Sequence, residues 1–242
     1  NGRNILIDRN VINHNGAFER CARGESNEKG SGTICNQAHG IYTTGPNWVI
    51  TNNLIYDNLA IGISVAGYEH CPDGGCYGGS PGAKGKTFAG PEYGGASGWL
   101  IANNTIAYNN YGPAINIWQA AAKNARIVNN ILYENRQKDA NGTNGVSFLN
   151  SGGGHVIQDN ICYGTAPGAT ACIGGHAAGK YTGSNNSNAN PNFEGAGGTL
   201  SGVPNFKLKA GSPAIDKGQN LSQVTWDHAG GKRPFGAAYD IG

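Results

Sequence analysis

The sequence predicts an all-β chain folded as a right-handed parallel β-helix, a solenoid with an internal asparagine ladder and long loop insertions. Three observations carry this. One motif recurs five times without gaps, and a second, alternating motif recurs between its copies. The 242 residues include 41 glycines and 31 asparagines, both poor helix formers and good turn formers.

The first motif reads ILIDRNVIN from Ile5, VITNNLIY from Val49, LIANNTIAY from Leu100, RIVNNILY from Arg126 and VIQDNICY from Val156. Each copy is an apolar stretch, a polar pair ending in Asn, then a second apolar stretch. The aligned asparagines are Asn10, Asn53, Asn104, Asn130 and Asn160, spaced 43, 51, 26 and 30 residues apart. A fixed core with variable insertions is the mark of a stacked repeat whose units bury their apolar faces only against one another. The recurring Asn fits a sharp bend in the left-handed region, with its amide bonded to the equivalent Asn one coil away.

The second motif reads HGIYTTG from His39, IGISVAG from Ile61, PAINIWQ from Pro113 and NGVSFLN from Asn144. Strict alternation makes each a short strand, so one period holds three strands. With Ile41, Ile63, Ile115 and Val146 inward, Tyr42, Ser64, Asn116 and Ser147 point outward, beside Thr44, Ala66, Trp118 and Leu149. Insertions at about 13–38, 68–97 and 134–143 flank this outward row. The expected organisation is a single domain over residues 1–242. Coils occupy about 4–175, and an irregular closing segment occupies about 176–242.

This coil pattern resembles the pectate-lyase-type family of right-handed parallel β-helix proteins. The stretches NFKLKAGSPAIDKG from Asn205, WDHAGGKRPF from Trp226 and AAYDIG from Ala237 are similar to the closing segment of many secreted β-helix proteins. There an F-x-L-x-x-GSPAID-x-G run precedes D-x-x-G-x-x-RP and a final Y-D-I-G. The resemblance implies the architecture more than an activity, since such relatives include lyases, hydrolases, epimerases and surface proteins. Further coils and a cap usually precede the first coil in them, and a few residues follow the last Gly, so this chain is expected to be clipped at both ends. Asp216, Asp227, Arg233 and Asp240 are expected to close the end of the helix.

Composition narrows the function classes. Charged residues are 13%, and net charge is +2, which excludes a polybasic nucleic-acid binder. No three-residue glycine period points to collagen, and no apolar run reaches the length of a membrane span. There is no Met and no leader-like segment, which reads as a processed chain. Six cysteines without a CxxC pair suit disulfides rather than zinc or redox chemistry. Fifteen connectivities are open for six cysteines, and the economical one joins neighbours 21–35, 71–76 and 162–172. Secretion or a periplasmic location follows from this cysteine usage.

Long loops on a rigid stack are where binding groups gather. The outward row offers Asn116 and Trp118 as a floor for sugar hydroxyls and apolar C–H faces. No Asp or Glu lies on it, whereas glycoside hydrolysis needs two carboxylates; Glu69, Asp73 or Glu92 would have to supply them from a loop. β-Elimination in a uronate chain instead needs a base, a proton donor and a group to neutralise the carboxylate. His39 or a loop cation is the expected base, Tyr42 the proton donor, and Arg136 or Asn116 the carboxylate partner. His70 and Lys138 are expected to contact substrate, with Lys84 and Lys86 on the same side. The calcium-binding carboxylates and catalytic arginine of the pectate lyases find no residue-by-residue counterpart. No metal ligands are assigned and the cofactor is left open, Ca²⁺ through Glu69, Asp73 or the Glu25/Glu28 loop being the one option.

The expected protein is therefore an extracellular, monomeric polysaccharide lyase acting on an acidic polysaccharide, with no nucleic-acid or membrane partner. A non-catalytic glycan-binding or surface-structural β-helix is the alternative. A hydrolase with loop carboxylates ranks third.

Overall fold

Strands form where alternation places Ile, Leu or Val at the centre of a short polar-bounded run. The computed structural model describes residues 3–16, 38–67, 97–110, 112–119, 121–135, 145–149, 151–164, 172–174, 178–196 and 204–242. In chain order the strands are β1 (Leu6–Asp8), β2 (Val11–Asn13), β3 (Ile41–Thr44), β4 (Val49–Thr51), β5 (Leu54–Tyr56) and β6 (Ile63–Ala66). They continue with β7 (Leu100–Ala102), β8 (Thr105–Ala107), β9 (Ile115–Trp118), β10 (Arg126–Val128) and β11 (Ile131–Tyr133). The last are β12 (Val146–Leu149), β13 (His155–Gln158), β14 (Ile161–Tyr163), β15 (Ile173–Gly174) and β16 (Tyr181–Ser184).

Every third strand pairs in parallel. Sheet A is β1-β4-β7-β10-β13-β16, sheet B is β2-β5-β8-β11-β14, and sheet C is β3-β6-β9-β12-β15. This is the expected right-handed parallel β-helix. It runs further than the repeats show: β16 pairs with β13, carrying the stack past residue 175.

The bore is filled by aligned columns. Ile50, Ile101, Ile127 and Ile157 come from sheet A, and Ile55, Ile106, Leu132 and Cys162 from sheet B. Sheet C adds Ile63, Ile115 and Val146, then Val65, Ile117 and Phe148. Burying each such side chain contributes roughly 1.5–3 kcal/mol. Cys162 and Cys172 are disulfide-bonded with Cα atoms 5.0 Å apart, stapling the entry to β15 onto β14 inside the core. The other two expected pairs, Cys21–Cys35 and Cys71–Cys76, lie outside the described residues.

The asparagine ladder is present and directional. The side-chain amide of Asn10 donates to Asn53 Oδ1, Asn53 to Asn104, Asn104 to Asn130, Asn130 to Asn160, and Asn160 to Asn186, all at 2.9–3.0 Å. One detail of the expectation is corrected: the left-handed residue is the one before the ladder Asn. Arg9, Asn52, Asn103, Asn129, Asp159 and Asn185 hold φ of 53° to 58°, so the bend and the ladder are divided between adjacent residues. A second ladder, not anticipated, lies five residues on: Asn58 donates to Asn109 and Asn109 to Asn135, with the Asn15 amide N–H bonded to Asn58 Oδ1.

The C-terminal motif does not close the helix end. It runs as a strap along the outside of sheets A and B. Leu221, Val224 and Tyr239 pack on Leu100, Ala102 and Val128, while Phe193, Phe206 and Ile241 pack on Tyr56, Tyr108 and Tyr133. The polar motif residues are spent internally. Asp216 Oδ1 accepts from the Ala238 amide, Asp240 Oδ1 accepts from the Asp216 amide, and Arg233 donates to the Asp240 and Gly242 carbonyls. The strap reaches the stack through the left-handed corner residues, with His228 Nδ1 2.9 Å from Asn52 O and Asn103 donating to Asp240 O.

Candidate functional site

Alternation in sheet C turns every second side chain away from the bore, and parallel register lines these up across coils. Tyr42, Ser64, Asn116 and Ser147 are Cα partners in successive strands, as are Thr44, Ala66, Trp118 and Leu149. The row is unevenly open. Tyr42 is 47% and Leu149 43% exposed, whereas Ser64 is 2% and Ala66 0%. Accessible surface is therefore concentrated at the two ends of the row, with Asn116 and Trp118 partly buried between them.

His39 and Tyr42 form a unit. Their rings stack with centroids 5.5 Å apart and planes 14° from parallel. Nδ1 of His39 accepts a hydrogen bond from the Ile61 amide at 3.3 Å, which places the proton of the neutral ring on Nε2. Burial pushes this imidazole down from 6.5 to about 4. At neutral pH His39 is thus an uncharged ring whose lone pair is already engaged. Its Nε2–H can donate, and its face supports the exposed phenol.

Asn116 supplies a second polar feature. Its Oδ1 is buried and accepts no hydrogen bond among the described residues, an acceptor whose desolvation is uncompensated. Of the remaining site residues, Arg136, His70 and Lys138 lie outside the described residues. So do Lys84, Lys86, the loop carboxylates Glu69, Asp73 and Glu92, and the Glu25/Glu28 segment. Among the described residues no three His, Cys, Asp or Glu side chains converge to hold a cation, and no carboxylate lies on the sheet C face.

Two features escaped sequence reasoning. His155 is a second neutral imidazole, pushed to about 4 chiefly by burial, with Nδ1 accepting from the Ala125 amide and the ring stacked 4.9 Å from Phe148. It opens β13, where the other coils carry no His, so no repeat signal marked it. The other is a cleft of about 590 Å³ between the strap and sheet B. Its floor and walls come from segments far apart in sequence. No family model, curated protein or solved structure matches this chain.

Proposed function

We propose that this protein is a secreted, carbohydrate-active β-helix whose sheet C face binds an acidic polysaccharide and cleaves it by β-elimination. The observation that carries the reading is the His39–Tyr42 stack, which sets an exposed phenol at the edge of a face whose described strands bear no carboxylate. The disulfide fits an oxidising, extracellular compartment.

In this reading a base removes the proton on the carbon next to the uronate carboxylate, and that electron pair forms the new C=C bond. The bond from the adjacent carbon to the glycosidic oxygen breaks, and Tyr42 delivers a proton to the departing oxygen. The base is assigned to a loop Lys or Arg rather than to His39, whose lone pair is engaged by the Ile61 amide, and Arg136 serves with Asn116 as the partner of the uronate carboxylate. His39 is a positioning residue. Asn116 meets the carboxylate through its amide N–H groups, with Trp118 stacking on a sugar face. His70 and Lys138 add contacts from the loops.

The occupied lone pair of His39 also favours a second reading, in which the same face binds glycan without turning it over. Incubation with uronic-acid polysaccharides, with calcium or with chelator, separates the two. Ultraviolet absorbance from an unsaturated product that is lost in Tyr42→Phe supports elimination. Binding by calorimetry with neither absorbance nor new reducing ends supports adhesion. New reducing ends without absorbance would overturn both in favour of hydrolysis by loop carboxylates.

A further inference from the structure

The 590 Å³ cleft lies on a different side of the solenoid from the sheet C face. Its floor is Leu54, Thr105 and Ile131, register partners in β5, β8 and β11. They face outward because the next residues, Ile55, Ile106 and Leu132, fill the bore. Phe206 stands along one side, its ring edge-on to Tyr56 and Phe193. Phe235 lines the other side and is 99% exposed.

The walls are held in place. Glu194 and Gly195 amides donate to the Lys207 and Asn205 carbonyls at 2.8 and 3.1 Å. On the opposite side the Arg233 guanidinium donates to the carbonyls of Trp226, Asp240 and Gly242. The backbone segments bordering the cleft are thus held without a ligand.

Its charges are asymmetrically spent. Asp227 Oδ1 accepts from the Gly231 amide at 2.6 Å, and Asp240 Oδ1 accepts from the Asp216 amide at 2.9 Å. Lys207 and Lys232 also line the cleft and are exposed. Among the described residues neither reaches a carboxylate within ion-pair distance. Cations therefore border an apolar floor, while one oxygen of each acid is held by a backbone amide. Uncharged hydrogen-bonding groups are scarce: Asn205 is bonded to Glu194 and the Lys207 amide, and His228 to Asn52 O. Thr105 is left, too little to read the hydroxyls of a sugar.

We infer that this cleft binds a small organic anion with an apolar body, an alkyl or aryl carboxylate or sulfonate. The body lies on Leu54 and Phe206 beside Phe235, and the head group meets Lys207 and Lys232. The volume is that of small-molecule sites, which pair an apolar lining with a few fixed polar groups. The inference is independent of the carbohydrate reading.

The test is a fluorescence titration of the full chain with anilinonaphthalene sulfonate, followed by displacement with dodecanoate and with dodecanol. One saturable site, displaced by dodecanoate far better than by the alcohol, is expected. The double variant Lys207→Ala/Lys232→Ala should weaken binding roughly tenfold, from two partly exposed ion pairs. Phe235→Ser should also weaken it, and Tyr42→Phe should not. All three cleft side chains are exposed, so unchanged near-ultraviolet circular dichroism will verify the fold of each variant. Undiminished affinity in the double variant would overturn the inference, as would displacement by a uronate oligosaccharide but not by dodecanoate.

Discussion

Asn129 and Gln219 are joined reciprocally: the Asn129 amide donates to Gln219 O at 2.9 Å and accepts from the Gln219 amide at 3.0 Å. The left-handed backbone of Asn129, φ 57°, turns its side chain out of the bore toward the strap. This corner asparagine is thereby a docking point for residues 90 positions away. Asn129→Ala removes both bonds and leaves part-buried backbone partners unmet, at a cost of about 1–3 kcal/mol. Urea denaturation gives the size. Limited proteolysis gives the place, with earlier cleavage expected within residues 204–242 than in the unchanged chain. Identical cleavage patterns would show that the strap is held elsewhere.

The neighbouring Asn130 faces the other way and should matter more. Its Oδ1 accepts from the backbone and side-chain amides of Asn104, and its Nδ2 donates to Asn160 Oδ1, Ile101 O and Val128 O. Asn130→Leu strands several fully buried groups at once. A loss on the order of 3–5 kcal/mol is expected from breaking such a buried network, measured by the same denaturation. A loss no larger than that of Asn129→Ala would mean that the ladder relaxes around the gap.

The contrast between these two residues shows what was legible in the sequence. Asn130 recurs at one position in every coil, so its role follows from repetition, and the sheet C row followed from alternation alone. Asn129 occupies a corner where the coils place Arg9, Asn52, Asn103 and Asp159, a mixture with no repeating chemistry. The second ladder had a signal, Asn five residues after the first in four coils, hidden by the abundance of Asn. The strap carries a legible motif, but its place along the side depends on pairings such as His228 with Asn52, 176 residues apart. No local pattern encodes those. The cleft is legible only after the strap is placed.

Acid should destabilise the fold through two histidines. His39 and His155 are each held at about 4, against 6.5 for a free imidazole. Between these values the unfolded chain binds more protons than the native one, so stability rises with pH across that window. The contribution is whole above pH 6.5 and is lost progressively as pH falls to about 4. Urea midpoints measured across this range should decline toward acid, with a shallower decline in His155→Phe. Equal slopes in the two proteins would remove His155 from the account.

Close stacking of sheet C depends on glycine just before the strand. A Cβ at Gly40 would lie 2.7 Å from Gly62 O, and one at Gly62 would lie 2.6 Å from Ala114 O. Both obstacles are backbone carbonyls of the next coil, so neither can swing aside. Gly62→Ala should cost about 1–3 kcal/mol by overpacking. Gly153→Ala is the control: a Cβ there meets nothing closer than 3.9 Å, and a change within about 0.5 kcal/mol is expected. Equal thermal midpoints for both variants would refute the close-approach argument.

His39→Phe separates the two roles open to that residue. The substitution keeps an aromatic face against Tyr42 and removes both ring nitrogens. If His39 only positions the phenol, turnover of a uronate polysaccharide should fall modestly, about tenfold or less. Tyr42→Phe should fall by the roughly hundredfold or more expected for loss of a proton-transfer group. The Ile61 amide that bonds Nδ1 at 3.3 Å is left unpaired, so some loss of stability should accompany the change and is measured separately. A further distinction comes from the pH profile. As a base His39 would impose an acid limb near its value of about 4, absent from His39→Phe. As a positioning residue it leaves the shape of the profile unchanged. A fall in His39→Phe as deep as that in Tyr42→Phe, with the acid limb gone, would return the base to His39 and displace the loop cation from that role.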